Sequence, residues 1–329
     1  MRRAKLIVTR RLPPPVEARL ERDYEVWRPE SGPGAAGVGE PLPAAAGVLC
    51  TPADRFSAEV INRLPDSVRI IATYSVGYDH VDVAAAIARG IVVTNTPDVL
   101  TEATADIALL LLLGAARRAS EGEALMRRCA WAESLGTPLL GIDVGGKVLG
   151  IVGLGRIGSA LARRAVACGM QVHYLSDRPR SVPGVALVQH ADEASFWPLC
   201  QFLSLHLPLT AATRGFLNES RIAKLPRGAV VVNTARGEIV DDDALIRALE
   251  SGQVAAAGLD VFSGEPDFRP EYAQLKQTFL LPHLGSATVE TRCAMGFRAL
   301  DNLDRFFAGQ RAGLDLVRTD ASRPETRPA

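Results

Sequence analysis

Apolar residues along this chain come in short β-branched runs separated by stretches with helical spacing. Lys5–Thr9 (KLIVT), Gly47–Cys50 (GVLC), Arg69–Ala72 (RIIA) and Ile91–Asn95 (IVVTN) predict strands. Pro14–Arg22, Ala58–Leu64 and Val83–Arg89 predict the helices between them. The strand runs do not alternate apolar with polar, as expected of a parallel sheet covered on both faces. The Gly- and Pro-rich stretch Pro29–Pro43 predicts an irregular loop. A long helix is predicted over Thr101–Arg128, and a second series of strands follows: Val148–Val152, Val172–Leu175, Phe202–Leu205, Val230–Asn233 and Ala255–Leu259. Two successive series of this kind predict two α/β domains, each a doubly wound parallel sheet, Rossmann-like or flavodoxin-like. The polar, proline-bearing tail 318–329 predicts disorder.

Composition narrows the function classes. Lys+Arg and Asp+Glu are both 37, so there is no basic field for a nucleic acid or an anionic membrane. The apolar run Ile107–Ala116 is too short to span a bilayer. The N-terminal MRRAKLIVTRRL returns to charge too soon for a signal peptide. Five scattered cysteines without a CxxC pair argue against a disulfide framework and against a zinc site. The expectation is a cytoplasmic protein with reduced, mostly buried thiols and no metal.

Chemistry enters at Val148–Gly158, VLGIVGLGRIG. A buried strand is followed by Gly153, Gly155 and Gly158, then by a helix over Ser159–Cys168. The spacing suits a tight turn at Gly153, bare backbone at Gly155 against a pyrophosphate, and close packing at Gly158. The next strand ends in LSDRPR. Asp177 there could hold the hydroxyls of an NAD ribose; Ser176, Arg178 and Arg180 would suit a 2′-phosphate instead. Two arginines against one aspartate tilt the expectation to NADP(H), with NAD(H) as the alternative. Three later strands end in VNTARG, GLDVFSGEP and LPHLGSAT, which offer Arg236, Glu265 and His283. Strand carboxyl ends of a doubly wound sheet face the ligand, so the three could converge. Arg presents a fork that matches a carboxylate. An imidazole beside a carboxylate has its charged form favoured and can donate a proton.

These segments, with YSVGYDHVD (Tyr74–Asp82), NTPDVLTEATAD (Asn95–Asp106) and LHLPLTAAT (Leu205–Thr213), resemble the D-isomer-specific 2-hydroxyacid dehydrogenases, most closely the glyoxylate/hydroxypyruvate reductase branch. The resemblance implies that Arg236 anchors the substrate carboxylate, His283 protonates the carbonyl oxygen and Glu265 orients the imidazole. It implies a carboxylate site completed by backbone N–H groups of Val76 and Gly77. It places cofactor contacts at Thr104, Arg156, Ile157, Thr213, Thr234 and Asp260, besides the glycine turn. It also implies a substrate domain of residues 1–99 with 289–317, a dinucleotide domain of residues 100–288, an active-site cleft between them, and a homodimer. The family's acidic position falls on Ser176 by register, and Glu133–Asp143 lacks the tryptophan some reductases of this branch carry. The rival readings are another D-2-hydroxyacid or phosphorus-oxyacid dehydrogenase of the superfamily and a non-catalytic, dinucleotide-sensing corepressor-like protein. Val76 stands where phosphite-oxidising relatives carry lysine.

Overall fold

Both strand series form all-parallel sheets. The computed structural model describes residues 3–29, 44–132 and 139–317, which divide into two compact units, Met1–Leu100 with Thr288–Ala329, and Thr101–Ala287. In the first, the chain runs β1 (Lys5–Val8), α1 (Pro14–Asp23), β2 (Glu25–Trp27), β3 (Gly47–Cys50), α2 (Ala58–Arg63), β4 (Ile70–Thr73), α3 (Val83–Ala88) and β5 (Val92–Thr94). The sheet order is β2-β1-β3-β4-β5. Every residue of β3 and β4 is buried, which is why those runs show no alternation.

The second unit contains α4 (Thr101–Ala116), α5 (Ala119–Arg127), β6 (Val148–Val152), α6 (Arg156–Ala167), β7 (Gln171–Leu175), β8 (Leu187–His190), α7 (Glu193–Phe196), β9 (Phe202–Leu205), α8 (Glu219–Ile222), β10 (Ala229–Asn233), α9 (Asp242–Glu250), β11 (Val254–Leu259), α10 (Glu271–Gln274) and β12 (Thr278–Leu280). The remaining helix, α11 (Val289–Phe307), belongs to the first unit. The seven strands lie in the order β12-β11-β10-β9-β6-β7-β8, all parallel. On β10, Ala229 and Val231 enter one hydrophobic core while Val230 and Val232 enter another. Successive side chains of a strand point to opposite faces, so this sheet is covered on both. No helix among the described residues is long and apolar enough to cross a membrane.

Three expectations need correction. The single helix over Thr101–Arg128 is broken, because Arg118 adopts left-handed backbone (φ 53°) between α4 and α5. At the break the carbonyl of Ala116 accepts from Ile142 N (2.8 Å). A Cβ on Gly141 would lie 2.5 Å from that oxygen, so the returning chain passes directly over the helix end. The helix after the glycine turn begins at Arg156 rather than Ser159. Of the five free cysteines only Cys50 and Cys200 are buried; Cys168 and Cys293 are half-buried and Cys129 is exposed. The tail 318–329, nearly all of the Pro29–Pro43 loop and residues 133–138 lie outside the described residues.

Candidate active site

The second unit brings Arg236, Glu265 and His283 together at the carboxyl ends of β10, β11 and β12. After β10 the Asn233 side chain closes a tight loop: its Oδ1 accepts from Ala235 N (3.0 Å) and its Nδ2 donates to the Arg236 carbonyl (2.8 Å). Arg236 is thereby presented at the loop's end, half-buried, with Nη1 donating to the Ala235 carbonyl (2.7 Å). A Cβ on the next residue, Gly237, would fall 1.9 Å from the carbonyl carbon of Phe262. Glycine there lets the β10 and β11 loops touch backbone to backbone.

Asp260, directly after β11, is 1% exposed. Its carbonyl accepts from His283 N (2.8 Å), and its carboxylate accepts from the backbone N–H groups of Leu284 (2.6 Å) and Gly285 (2.8 Å). Burial pushes the Asp260 carboxyl up to about 6, against the opposing pull of those two donors. So pinned, His283 takes a left-handed backbone (φ 54°) and turns Nδ1 to Glu265 Oε2 at 2.7 Å. Glu265 Oε1 accepts from Phe262 N (2.7 Å). Burial by itself would raise the Glu265 carboxyl. The hydrogen bond and charge of His283, the Phe262 N–H and the nearby Arg236 charge outweigh it and hold the group below the usual glutamate range. With Nδ1 engaged, Nε2 is the ring nitrogen left for an external partner.

The glycine turn joins β6 to α6. Gly153 has φ 94°, and a Cβ on it would lie 2.7 Å from the backbone carbon of His206. A Cβ on Gly158 would lie 2.5 Å from the Gly153 carbonyl oxygen, whereas one on Gly155 would meet nothing within 4 Å. Two glycines are therefore required by packing and the third leaves backbone bare. Gly155 is also the cap of α6 and has no side chain to satisfy its amides, so that terminus suits an anion. Thr234 Oγ1, buried, has no hydrogen-bond partner among the described residues. Bare backbone and an orphaned hydroxyl fit a dinucleotide. Gly153→Ala is expected to cost about 1–3 kcal/mol of stability and to weaken dinucleotide binding; calorimetric titration with wild-type affinity would contradict this.

Residues 109–285 match the family model described as D-isomer specific 2-hydroxyacid dehydrogenase, NAD binding domain. The chain is 42% identical over 315 residues to a glycerate dehydrogenase of Hyphomicrobium methylovorum, covering 94% of this chain and 98% of that one. The chain belongs to the D-isomer-specific 2-hydroxyacid dehydrogenases. It is an oxidoreductase acting on CH–OH donors. It is also 40% identical over 314 residues to a glyoxylate reductase of Thermococcus litoralis, covering 93% of this chain and 94% of that protein. Among solved structures, it is similar to an NADPH-dependent glyoxylate/hydroxypyruvate reductase of Sinorhizobium meliloti in complex with NADP and malonate. The TM-score is 0.87 and the identity 36%, over 96% of this chain and 97% of that chain.

The dehydrogenase places its other expected site residues as follows. Ser176 directly follows β7; its N–H donates to the His190 carbonyl (3.0 Å) and its Oγ accepts from Arg178 N (3.2 Å). Asp177 and Arg178 side chains are 86% and 76% exposed and 4.0 Å apart. Arg180, also exposed, is drawn back by its N–H donating to the Tyr174 hydroxyl (2.9 Å). Thr104 Oγ1 donates to the Gly285 carbonyl (3.0 Å), and Thr213 Oγ1 to the Pro208 carbonyl (2.6 Å), so both hydroxyls are committed within the protein. Arg156 and Ile157 form the first turn of α6. In the other unit, the carbonyls of Val76 and Gly77 accept from Asn95 Nδ2 (2.8 Å) and Ser75 Oγ (2.5 Å), which fixes the turn that carries their N–H groups.

Sequence reading assigned no role to Asn233, Phe262 or His206. The Asn of NTARG, two residues before a loop N–H it can cap, was the available signal for the first. Phe262 acts through its backbone, which no side-chain pattern reveals. His206 is half-buried, and its desolvation lowers the imidazole to about 4 and keeps it neutral; its Nε2 lies 2.9 Å from Ser204 Oγ, and its backbone is the surface on which Gly153 packs.

Proposed function

We propose that this dehydrogenase reduces a small 2-keto acid, glyoxylate- or hydroxypyruvate-like, to the D-2-hydroxy acid. The observation that carries the proposal is the 2.7 Å contact of His283 Nδ1 with Glu265, beside Arg236. It leaves a proton-donating nitrogen next to a fork that fits a carboxylate. When bound, a nicotinamide dinucleotide supplies the hydride. Arg236 grips the substrate carboxylate and polarises the keto oxygen, and in the other unit the N–H groups of Val76 and Gly77 are carboxylate donors. His283 Nε2 gives its proton to the keto oxygen, and Glu265 keeps the imidazole aligned and stabilises its charge. Gly153, Gly155, Gly158, Arg156 and Ile157 hold the pyrophosphate at the start of α6. Thr234, Thr104, Thr213 and Asp260 line the remainder of the dinucleotide site, Asp260 on the nicotinamide side.

The preferred cofactor is NADPH. Ser176 carries no charge to repel a 2′-phosphate, and the exposed Arg178 and Arg180 set two positive charges beside it against the single carboxylate of Asp177, which lies 4.0 Å from Arg178. The test is nicotinamide absorbance with glyoxylate, hydroxypyruvate and pyruvate, with both reduced cofactors, in wild type, Arg178→Ala and Asp177→Ala. NADPH should give the higher kcat/KM, and Arg178→Ala should reduce that advantage about tenfold, the equivalent of one charge-assisted hydrogen bond. An NADH advantage abolished by Asp177→Ala would make Asp177 the ribose ligand. No turnover with any keto acid would overturn the function itself.

A further inference from the structure

The first unit holds a buried carboxylate that the proposed chemistry leaves unused. Asp54 is 0% exposed. Its Oδ2 accepts from Thr9 Oγ1 (2.5 Å), Thr51 N (2.9 Å) and Thr51 Oγ1 (2.9 Å), while its Oδ1 accepts from Arg10 Nε (3.4 Å). A carboxylate taken out of water is costly unless it is bonded in this way, and here the bonds tie the loop after β1 to the loop after β3. Those are the strands between which the order β2-β1-β3-β4-β5 reverses, and open α/β sheets bind ligands in the crevice outside such a reversal.

The register shows what shares this edge. Val8 pairs with Leu49 and Leu49 with Ala72, so two residues further on Arg10, Thr51 and Tyr74 lie at one level. Val76 and Gly77, assigned above to the substrate carboxylate, follow Tyr74. Arg10 therefore stands two strand spacings, about 10 Å, from Tyr74, and that turn begins two residues further on. Its side chain is 43% exposed. Held to Asp54 through Nε, it leaves both terminal nitrogens with no hydrogen-bond partner among the described residues.

We propose that Arg10 is a specificity-determining residue that reads an acceptor oxygen carried on C3 of the 2-keto acid, with Asp54 as its positioning residue. The inference rests on the keto-acid reduction proposed above. A substrate whose carboxylate lies on the Val76–Gly77 turn extends its C3 substituent along the sheet edge, and a guanidinium fork there rewards a hydroxyl or a second carboxylate over a methyl group. Glyoxylate, with no C3, is indifferent to it.

The test measures kcat/KM for glyoxylate, pyruvate, hydroxypyruvate and oxaloacetate in wild type, Arg10→Met and Asp54→Asn. The ratios of hydroxypyruvate and oxaloacetate to pyruvate cancel any general loss, and the two arms separate a hydroxyl from a carboxylate as the group recognised. Arg10→Met should lower at least one ratio about tenfold. Asp54→Asn should raise KM for the same substrate more than it lowers kcat, in protein whose thermal midpoint shows that it is folded. Both ratios unchanged in Arg10→Met, with wild type active, would overturn the inference alone. A wild type inactive on every keto acid would overturn the underlying reading and the inference with it.

Discussion

His283→Asn should lower kcat for keto-acid reduction by about 10²–10⁴-fold, the usual worth of a positioned general acid. Asparagine is the informative replacement because His283 sits at φ 54°, a backbone region that Asn tolerates and a β-branched residue does not. The loop bonds to Asp260 come from backbone N–H groups and survive the change, so the loss reports proton donation rather than a collapsed turn. The pH profile gives a second reading. The Glu265 carboxyl is held below the usual glutamate range, so it is ionised throughout the neutral region. Its contribution to stability is present above the ordinary glutamate value and disappears as pH falls through the lowered one. Glu265→Gln keeps the shape and removes that charge, so the stability gap between wild type and variant should close as pH falls through the lowered glutamate value. Thermal midpoints across pH decide it: a gap that does not change with pH breaks the proposed pairing, and a His283→Asn rate near wild type removes the donor assignment.

Arg236→Lys should be severely impaired although the charge is kept. An ammonium is a point charge and cannot reproduce two parallel N–H···O bonds. Losing one charge-assisted hydrogen bond costs on the order of 1.5–3 kcal/mol, which is roughly ten- to hundredfold in kcat/KM. The main chain at this position is held by the Asn233 side chain, so the effect belongs to the side chain. Near-normal kcat/KM would exclude the anchoring role.

Runs such as GVLC and VVVN were readable as strands because burial on both faces leaves a dense apolar signature. Of the four edge strands only β5 was. β2 (EVW), β8 (LVQH) and β12 (TFL) are short and only partly buried, and nothing in three or four residues separates them from loop. The break at Arg118 also left no trace, since no glycine or proline marks it; at the break Ile142 takes the Ala116 carbonyl from 26 residues away in the chain. The three polar residues of the candidate site stood out because each follows a strand and sits in a segment that resembles one family. What holds them stayed hidden. Asp260 reaching Leu284 and Gly285, and Asp54 joining Thr9 to Thr51, are tertiary contacts between distant segments.

The strand order of the larger sheet bears on how this protein can be altered. Ser176 lies at the end of β7 and Arg236 beyond the end of β10, with β6 and β9 between them. Three strand spacings amount to about 14 Å, beyond the range at which substitutions usually interact. Changes at Ser176 and changes at Arg236 should therefore multiply as independent factors. Either position can drift, or be engineered, without re-optimising the other.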